Sequence, residues 1–154
     1  MMDNIDYKIL SLLQNNARVT NAEIARQIGM VPSGVLERVR KLEENELIQE
    51  YTARLKPEPL NLGLLAFVFV RTSESPGSTC ISEELAKFPE IMEVHHVAGE
   101  DCYLIKIRLK DNKSLAAFLR KKIGSISAVT FTRTVIVLET IKETSKVKLP
   151  EPEE

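Results

Sequence analysis

Apolar positions in the first fifty residues recur at the spacing of short α-helices. Ile5, Ile9 and Leu12 stand three or four residues apart, and Asp3 with Asp6 forms a capping pair at the start of this series. The sequence therefore predicts a first helix with one apolar face.

Two further helices are predicted, joined by a short turn that contains glycine. Thr20 and Glu23 have the spacing of a capping box, and Gly29 is placed to end the second helix in the left-handed conformation. Pro32 is typical of a first helical residue, and the apolar stripe behind it consists of Val35, Leu36, Val39 and Leu42. This arrangement predicts a helix-turn-helix unit.

From residue 48 onward, strand-like runs alternate with helical ones. Ile48–Leu55 is a mixed, strand-like stretch, and the two prolines within residues 56–59 mark a linker. The strands that follow are predicted at Leu64–Arg71, Ile91–Val97, Cys102–Leu109 and Val129–Leu138, with helices at about Cys80–Phe88 and after Asp111. The order β-α-β-β-α-β is that of the ferredoxin-like fold.

The predicted fold class is α+β, in two domains with a connection and a tail. A three-helix (winged) helix-turn-helix domain occupies residues 1–50, and a ferredoxin-like domain occupies residues 61–145. Residues 51–60 form a linking strand and hinge, and residues 146–154 form a loose tail with an acidic end. The apolar run Leu64–Val70 predicts a strand buried on both faces, which a domain of this size achieves most readily by dimerising.

The composition of the chain limits the classes of function that it can have. The 154 residues carry 21 Lys and Arg against 22 Asp and Glu, which excludes a protein that holds nucleic acid by charge alone. No apolar run approaches the roughly 20 residues that span a bilayer, so no membrane partner is expected. Two isolated cysteines fit a reducing cytoplasm better than a disulfide scaffold.

The third helix carries a local basic cluster within a domain that is not basic overall. Residues that point away from its apolar stripe, or flank that outer face, can reach bases and phosphates of double-stranded DNA. The start of the second helix can lend backbone N–H groups to a phosphate. The candidate DNA-binding residues are Thr20, Asn21, Ser33, Gly34, Glu37, Arg38, Arg40 and Lys41. The alternative is a three-helix bundle with an ordinary solvated face.

Nearly the whole chain, about residues 3–149, resembles the Lrp/AsnC family of leucine-responsive regulators. The resemblance rests above all on Val35–Glu43, together with Ile5–Leu10, Ala17–Asn21, Ile24-Ala25, Ile48, Tyr51–Ala53, Val97–Leu104 and Ile141–Thr144. It implies a DNA-binding domain, a linking strand and a ferredoxin-like domain that senses amino acids. Members typically form dimers that associate further, commonly as octamers, and regulate transcription.

The chain departs from the family pattern at three places. Val31 stands where the family usually has a capping Ser, and Glu46 where a Gly usually follows the third helix. Asn45 is then the expected left-handed residue. Cys102 occupies the position of the family's Asp in the hairpin, while Asp101 lies one place earlier and is expected to face the other side.

The resemblance implies an effector site near the hairpin after the second strand. Gly99 permits a tight turn, Asp101 can accept an amino acid's ammonium, and backbone N–H groups near Gly99 can donate to its carboxylate. The candidate effector-binding residues are Gly99, Glu100, Asp101, Cys102, Tyr103, Thr132 and Thr134. The alternative is a soluble turn beside surface threonines.

Two other functional classes remain open at the level of sequence. Sirohaem decarboxylases share this architecture, but their His-Asn-Tyr type of motif is missing where this chain has His96–Gly99. A sensor or architectural protein without specific DNA targets is the other class. His95 and His96 are adjacent on a strand and face opposite sides, so a shared metal ion is disfavoured. We expect a non-enzymatic regulator without catalytic residues, metal or cofactor.

Overall fold

The computed structural model describes residues 2–73, 75 and 78–150. It contains two compact units, each with its own apolar core. The first unit comprises the chain up to Arg54 together with the segment that begins at Glu143. The second unit comprises Leu55–Lys142.

The first unit holds three helices: α1 (Asn4–Asn15), α2 (Asn21–Ile28) and α3 (Pro32–Glu44). The predicted capping pair is confirmed, because the Asp3 carboxylate accepts the N–H of Asp6 at 2.9 Å while the Asp6 carboxylate accepts the N–H of Asp3 at 3.1 Å. Thr20 Oγ1 likewise accepts the N–H of Glu23 at 3.1 Å. Gly29 ends α2 in the left-handed conformation with a φ of 74°, as predicted.

The core of this unit is formed by Ile9, Leu10, Ile24, Ala25, Val35, Val39 and Leu42. Leu36 was expected in this stripe, but it is 57% exposed. The physical reason is angular. At about 100° per residue, Leu36 lies roughly a quarter turn from the centre of the stripe that Val35, Val39 and Leu42 define.

The end of α3 differs from the expectation in one residue. Asn45 keeps a φ of −88°, whereas Glu46 takes the left-handed conformation with a φ of 57°. This conformation lets the N–H groups of Leu47 and Ile48 return to the carbonyl of Leu42 at 2.9 and 3.1 Å. Glu46 therefore occupies a position that favours glycine and that costs a glutamate backbone strain.

The structure also differs from the predicted linking strand and loose tail. The residues between 51 and 57, all of which it describes, form no strand within a single chain. A short 3₁₀ turn follows at Glu58–Leu60. At the other end, Leu149 packs against the core of the first unit, and the amide of Gln14 exchanges hydrogen bonds with the backbone of Val147 at 2.8 and 3.3 Å. Residues 151–154 lie outside the described part of the chain.

The second unit is an antiparallel sheet with two helices, which confirms the ferredoxin-like prediction. Its strands have the order β2-β3-β1-β4. Their bounds are Leu64–Thr72 (β1), Ile91–His96 (β2), Tyr103–Leu109 (β3) and Val129–Ile136 (β4), and the helices are α4 (Cys80–Ala86) and α5 (Asn112–Lys121). The Asp111 carboxylate caps α5 by accepting the N–H of Ser114 at 2.7 Å.

The two faces of the sheet have different environments. On the covered face, strand residues such as Val68 and Ile105 pack with Leu85 of α4 and Phe118 of α5 in one buried cluster. The other face, which we call the open face, contributes no side chain to that cluster. By strand register, the open face includes Leu65, Phe67, Phe69, Arg71, Leu104, Lys106, Arg108, Phe131, Arg133 and Val135. Along β1, Ala66, Val68 and Val70 are buried on the covered face, whereas on the open face Leu65 is buried and Phe67, Phe69 and Arg71 are only partly buried.

Candidate nucleic-acid interface and candidate effector site

The outer face of α3 carries four of the candidate DNA-binding residues. Ser33, Glu37, Arg40 and Lys41 are exposed, because they lie opposite the buried stripe. Gly34 is half-buried instead, and a Cβ at this position would stand 3.1 Å from the Met30 side chain. A side chain at position 34 would therefore require the tip of Met30 to shift by a few tenths of an ångström. The DNA contact of Gly34 stays a prediction, while the other four residues form an accessible polar surface.

Each basic residue on this outer face has an acidic partner one helical turn away. Arg40 Nε donates to Glu44 at 2.7 Å, and Lys41 Nζ lies 3.0 Å from Glu37. The hydrogen bond from Lys41 lowers the pKa of the Glu37 carboxyl. Exposed pairs of this kind contribute little to stability, so both cations can exchange their partners for phosphates at small cost.

Arg38 has a different environment from its two basic neighbours. Its guanidinium donates to Asp3 at 2.7 Å and to Asp6 at 2.8 Å, and its side chain is 29% exposed. The backbone N–H of Asp6 and the Arg38 guanidinium hold the pKa of Asp3 below its ordinary value. Arg38 thereby joins α3 to the start of α1. Its direct contact with DNA stays a prediction, and the geometry favours a positioning role.

The start of α2 lies beside the middle and the C-terminal part of α3. Asn21, Leu36 and Arg40 line one shallow groove, together with Tyr51. The Tyr51 hydroxyl donates to Glu43 at 2.8 Å, and burial together with this bond raises the pKa of Tyr51 to about 12. Asn21 and Arg40 lie along the same groove, and the phosphate contact at the start of α2 stays a prediction.

In the second unit, two arginines hold the hairpin that joins β2 to β3. Gly99 has a φ of 142°, which only glycine adopts readily. Arg71 donates to the Glu100 carbonyl at 3.2 Å and to Asp101 at 3.3 Å, while Arg133 reaches the same Asp101 carboxylate at 3.4 Å. The Asp101 side chain is 14% exposed. Any ammonium that binds Asp101 therefore competes with two guanidinium groups.

Sequence reasoning missed both arginines, although their positions carry a signal. Arg133 lies over the ring of Phe69 at 4.0 Å, and Arg71 lies over that of Phe131 at 5.5 Å. Both arginines come from strands whose other residues on this face are mostly apolar. A cation that alternates with aromatic residues on one face of a strand is a detectable pattern, but its partner Asp101 is brought to it only by the fold.

The structure does not bring all effector candidates together. Cys102 and Tyr103 belong to the apolar cluster of the covered face, where the Tyr103 ring lies 5.3 Å from that of His96. Thr132 and Thr134 share the covered face by register, opposite Val70 and Val68 of β1. Asp101 lies with the arginines of the open face. The predicted opposite orientation of Asp101 and Cys102 is therefore observed, whereas the two threonines do not join Asp101.

The two histidines lie on opposite faces, as the sequence predicted. His95 pairs with Leu104 of the open face and lies 3.1 Å from Glu93, while His96 pairs with Tyr103. Within the described residues there is no group of three or more His, Cys, Asp or Glu side chains that could hold a metal ion. No helix among them is long and apolar enough to cross a membrane.

Family models match both units. Residues 2–49 match a winged helix-turn-helix DNA-binding domain, and residues 65–147 match the Lrp/AsnC ligand-binding domain. The transcriptional regulator FL11 of Pyrococcus horikoshii is 40% identical over 148 residues, which cover 96% of this chain and 97% of the relative. The leucine-responsive regulatory protein of Escherichia coli is 36% identical over 150 residues, covering 95% and 90%.

Solved structures of similar proteins agree with these matches. A transcriptional regulator of Neisseria meningitidis in complex with L-Met has a TM-score of 0.89 at 31% identity and covers 96% of this chain and 97% of its own. AsnC of E. coli has a TM-score of 0.87 at 26% identity, covering 95% and 98%. The two relatives carry the names of a helix-turn-helix transcriptional regulator and of a leucine-responsive regulatory protein. The chain belongs to the Lrp/AsnC family of transcription regulators, with a DNA-binding helix-turn-helix domain and a ligand-binding domain.

Proposed function

We propose that a dimer of this protein binds double-stranded DNA through α3 and changes its binding when an amino acid occupies the sensor domain. The observation that carries the DNA half of the proposal is the outer face of α3. Ser33 and Glu37 can hydrogen-bond to base edges there, and Arg40 and Lys41 can exchange their exposed carboxylate partners for phosphates.

For the sensor half, we propose that the effector binds beside the hairpin of residues 99–101. Backbone N–H groups near Gly99 would donate to its carboxylate, and Asp101 would accept from its ammonium in competition with Arg71 and Arg133. The neighbouring structure from N. meningitidis, which is a complex with L-Met, supports an amino acid as the ligand class. A ligand that binds one assembly state better than another shifts the population toward that state.

We propose that the open face of the sheet forms the dimer contact, and that dimers assemble further, up to octamers. Phe67 and Phe69 are only partly covered, and Phe131 and Val135 are exposed beside them. A contiguous apolar patch of this kind is typical of a protein interface. The two helix-turn-helix domains of one dimer would then bind two DNA half-sites about 34–36 Å apart, or a multiple of that distance. Because its partner is DNA, we place the protein in the cytoplasm.

Selection of DNA from a random pool tests the proposed function, with one arm for each amino acid. We expect one preferred sequence with two related half-sites, and a change in its enrichment with one or a few amino acids. A pool that yields no preferred sequence would contradict the proposal and favour an architectural protein. A Soret absorbance band in the purified protein would favour the tetrapyrrole enzyme instead.

The role of Asp101 is tested by thermal unfolding with the amino acid that the selection identifies. A ligand at one hundred times its Kd stabilises a protein by about 2.7 kcal/mol. We expect Asp101→Asn to lose most of this shift and the control Glu84→Gln, at an exposed position of α4, to keep it. An equal shift in both variants would remove Asp101 from the site.

A further inference from the structure

Val31 is an exposed apolar residue at the first turn of the DNA-reading helix. It is the N-cap of α3, but its side chain makes no capping hydrogen bond, and it is 65% exposed. Ser, Thr, Asp or Asn at an N-cap stabilises a helix, whereas Val does not. Neither capping nor burial therefore accounts for an apolar side chain at this position.

Leu36 is a second exposed apolar residue on the N-terminal half of the same helix. It is 57% exposed, next to Glu37, and one turn beyond Pro32. Val31 and Leu36 stand before and after Ser33 in the sequence, and all three side chains are exposed. The polar surface that the proposed function assigns to base contacts therefore has one exposed apolar residue at the N-cap and another about one turn into the helix.

We propose that Val31 and Leu36 read thymine, by van der Waals contact of their methyl groups with the C5-methyl group in the major groove. Thymine is the one DNA base that presents an apolar group there. The first residues of a recognition helix are those that reach base edges. This inference rests on the proposed DNA contact of α3 and adds which bases it distinguishes.

The test replaces thymines of the selected DNA sequence, one at a time, by deoxyuridine, which lacks only the methyl group. Burial of one methyl-sized group corresponds to about a fourfold change in Kd. We expect DNA affinity to fall by about this factor when uracil replaces one or more of the thymines in each half-site. We also expect Leu36→Ala to be insensitive to uracil at one of those positions, and Val31→Ala at another.

Val31→Ser separates the contact from helix stability. Serine restores a capping side chain, so this variant should melt at a higher temperature than the wild type. We expect it nevertheless to bind the thymine-containing sequence about fourfold more weakly and to lose the response to uracil at the Val31 position. The matched control is Leu47→Ala, which removes an exposed apolar side chain beyond the end of α3 and should keep the full uracil response.

Two results would overturn the inference and leave the proposed function intact. One is a selected sequence whose affinity does not change with uracil at any position. The other is a uracil effect that stays the same in the Val31 and Leu36 variants, because the methyl group would then contact other residues. A pool without a preferred sequence contradicts both the proposed function and this inference.

Discussion

The outer face of α3 and the open face of the sheet are both accessible, but they differ in composition and pairing. On α3, charged side chains form short pairs within the helix, and single apolar residues stand at the edges. On the sheet, apolar residues from three strands adjoin, and Arg133 is stacked on Phe69 rather than extended into solvent.

This difference indicates what each surface can bind. A polar face with exchangeable ion pairs suits a charged, hydrated partner such as DNA, because little is lost when a phosphate replaces a carboxylate. A mostly apolar sheet face gains most when it is withdrawn from water against another protein surface. The net charge of the chain, which is −1, conceals this separation, since it does not tell where the charged and the apolar side chains lie.

The largest expected effect concerns the open face. Val135→Asp places one carboxylate per subunit in the proposed dimer contact, and each uncompensated buried charge costs several kcal/mol. We expect dissociation to monomers, measured by size-exclusion chromatography with light scattering. Ile136→Asp is the matched control, since Ile136 is 43% exposed against 44% for Val135 but belongs to the other face. Equal behaviour of the two variants would contradict the assigned interface.

The covered face is tested by Ile105→Ala. Ile105 is fully buried in the middle of β3, and truncation of such a side chain costs about 2–5 kcal/mol. We expect a loss of this size in the free energy of unfolding of the sheet unit, measured by urea denaturation. Met92→Ala, at an exposed position of the same sheet, should cost much less. A smaller loss for Ile105 than for Met92 would show that the two faces are assigned wrongly.

Arg38 and Arg40 distinguish a positioning residue from a DNA contact. Arg38→Gln should lower the free energy of unfolding by up to about 1 kcal/mol, because it leaves Asp3 and Asp6 without their cation. It should leave the salt dependence of DNA binding unchanged. Arg40→Gln should instead reduce the slope of log K against log salt by about 0.9 for the phosphate contact that it removes. The reverse result would assign the contact to Arg38.

Glu46→Gly tests the strain at the end of α3. A left-handed glutamate costs about 1–2 kcal/mol, part of which glycine returns as extra freedom of the unfolded chain. We expect a net gain of about 0.5–1 kcal/mol in the free energy of unfolding, measured by urea denaturation. Asn45→Gly, one residue earlier with an ordinary φ of −88°, should destabilise the same unit. A loss of stability in Glu46→Gly would refute the strain.

The smallest expected effect concerns the pH dependence of the first unit. Hydrogen bonds from Arg26, and then from Gln27, lower the pKa of Glu23 to about 2 from an ordinary value of 4.5. A carboxyl whose pKa is lower in the folded state than in the unfolded state stabilises the folded protein at every pH above the unfolded-state pKa. This contribution is lost as the pH falls through the folded-state pKa. We therefore expect wild type and Glu23→Gln to converge in stability between about pH 4.5 and about pH 2, as measured by circular dichroism.

The sequence predicted those elements whose causes are local. The Asp3–Asp6 and Thr20–Glu23 caps lie within one helical turn, and the left-handed Gly29 needs only its own missing side chain. The order of strands and helices followed from alternating periodicities, and the covered face of β3 followed from its alternation of apolar and charged residues. Two features of α3 were predicted wrongly. Leu36 was assigned to the buried stripe but lies just outside it. Asn45 was expected to be left-handed, but Glu46 is, because the N–H groups of the next two residues hydrogen-bond to the carbonyl of Leu42.

By itself, the sequence determined the three helices, the caps at Asp3, Thr20 and Gly29, the ferredoxin-like order of elements and most of the face of α3 that meets solvent. Only the tertiary structure decided which charged groups form ion pairs with residues distant in the sequence. Arg38 is bound by carboxylates 32 and 35 residues away, and Asp101 by arginines 30 and 32 residues away on two strands. The physical reason is that helix caps and periodicity act over a few residues, whereas an ion pair forms between any two groups that the fold brings within reach.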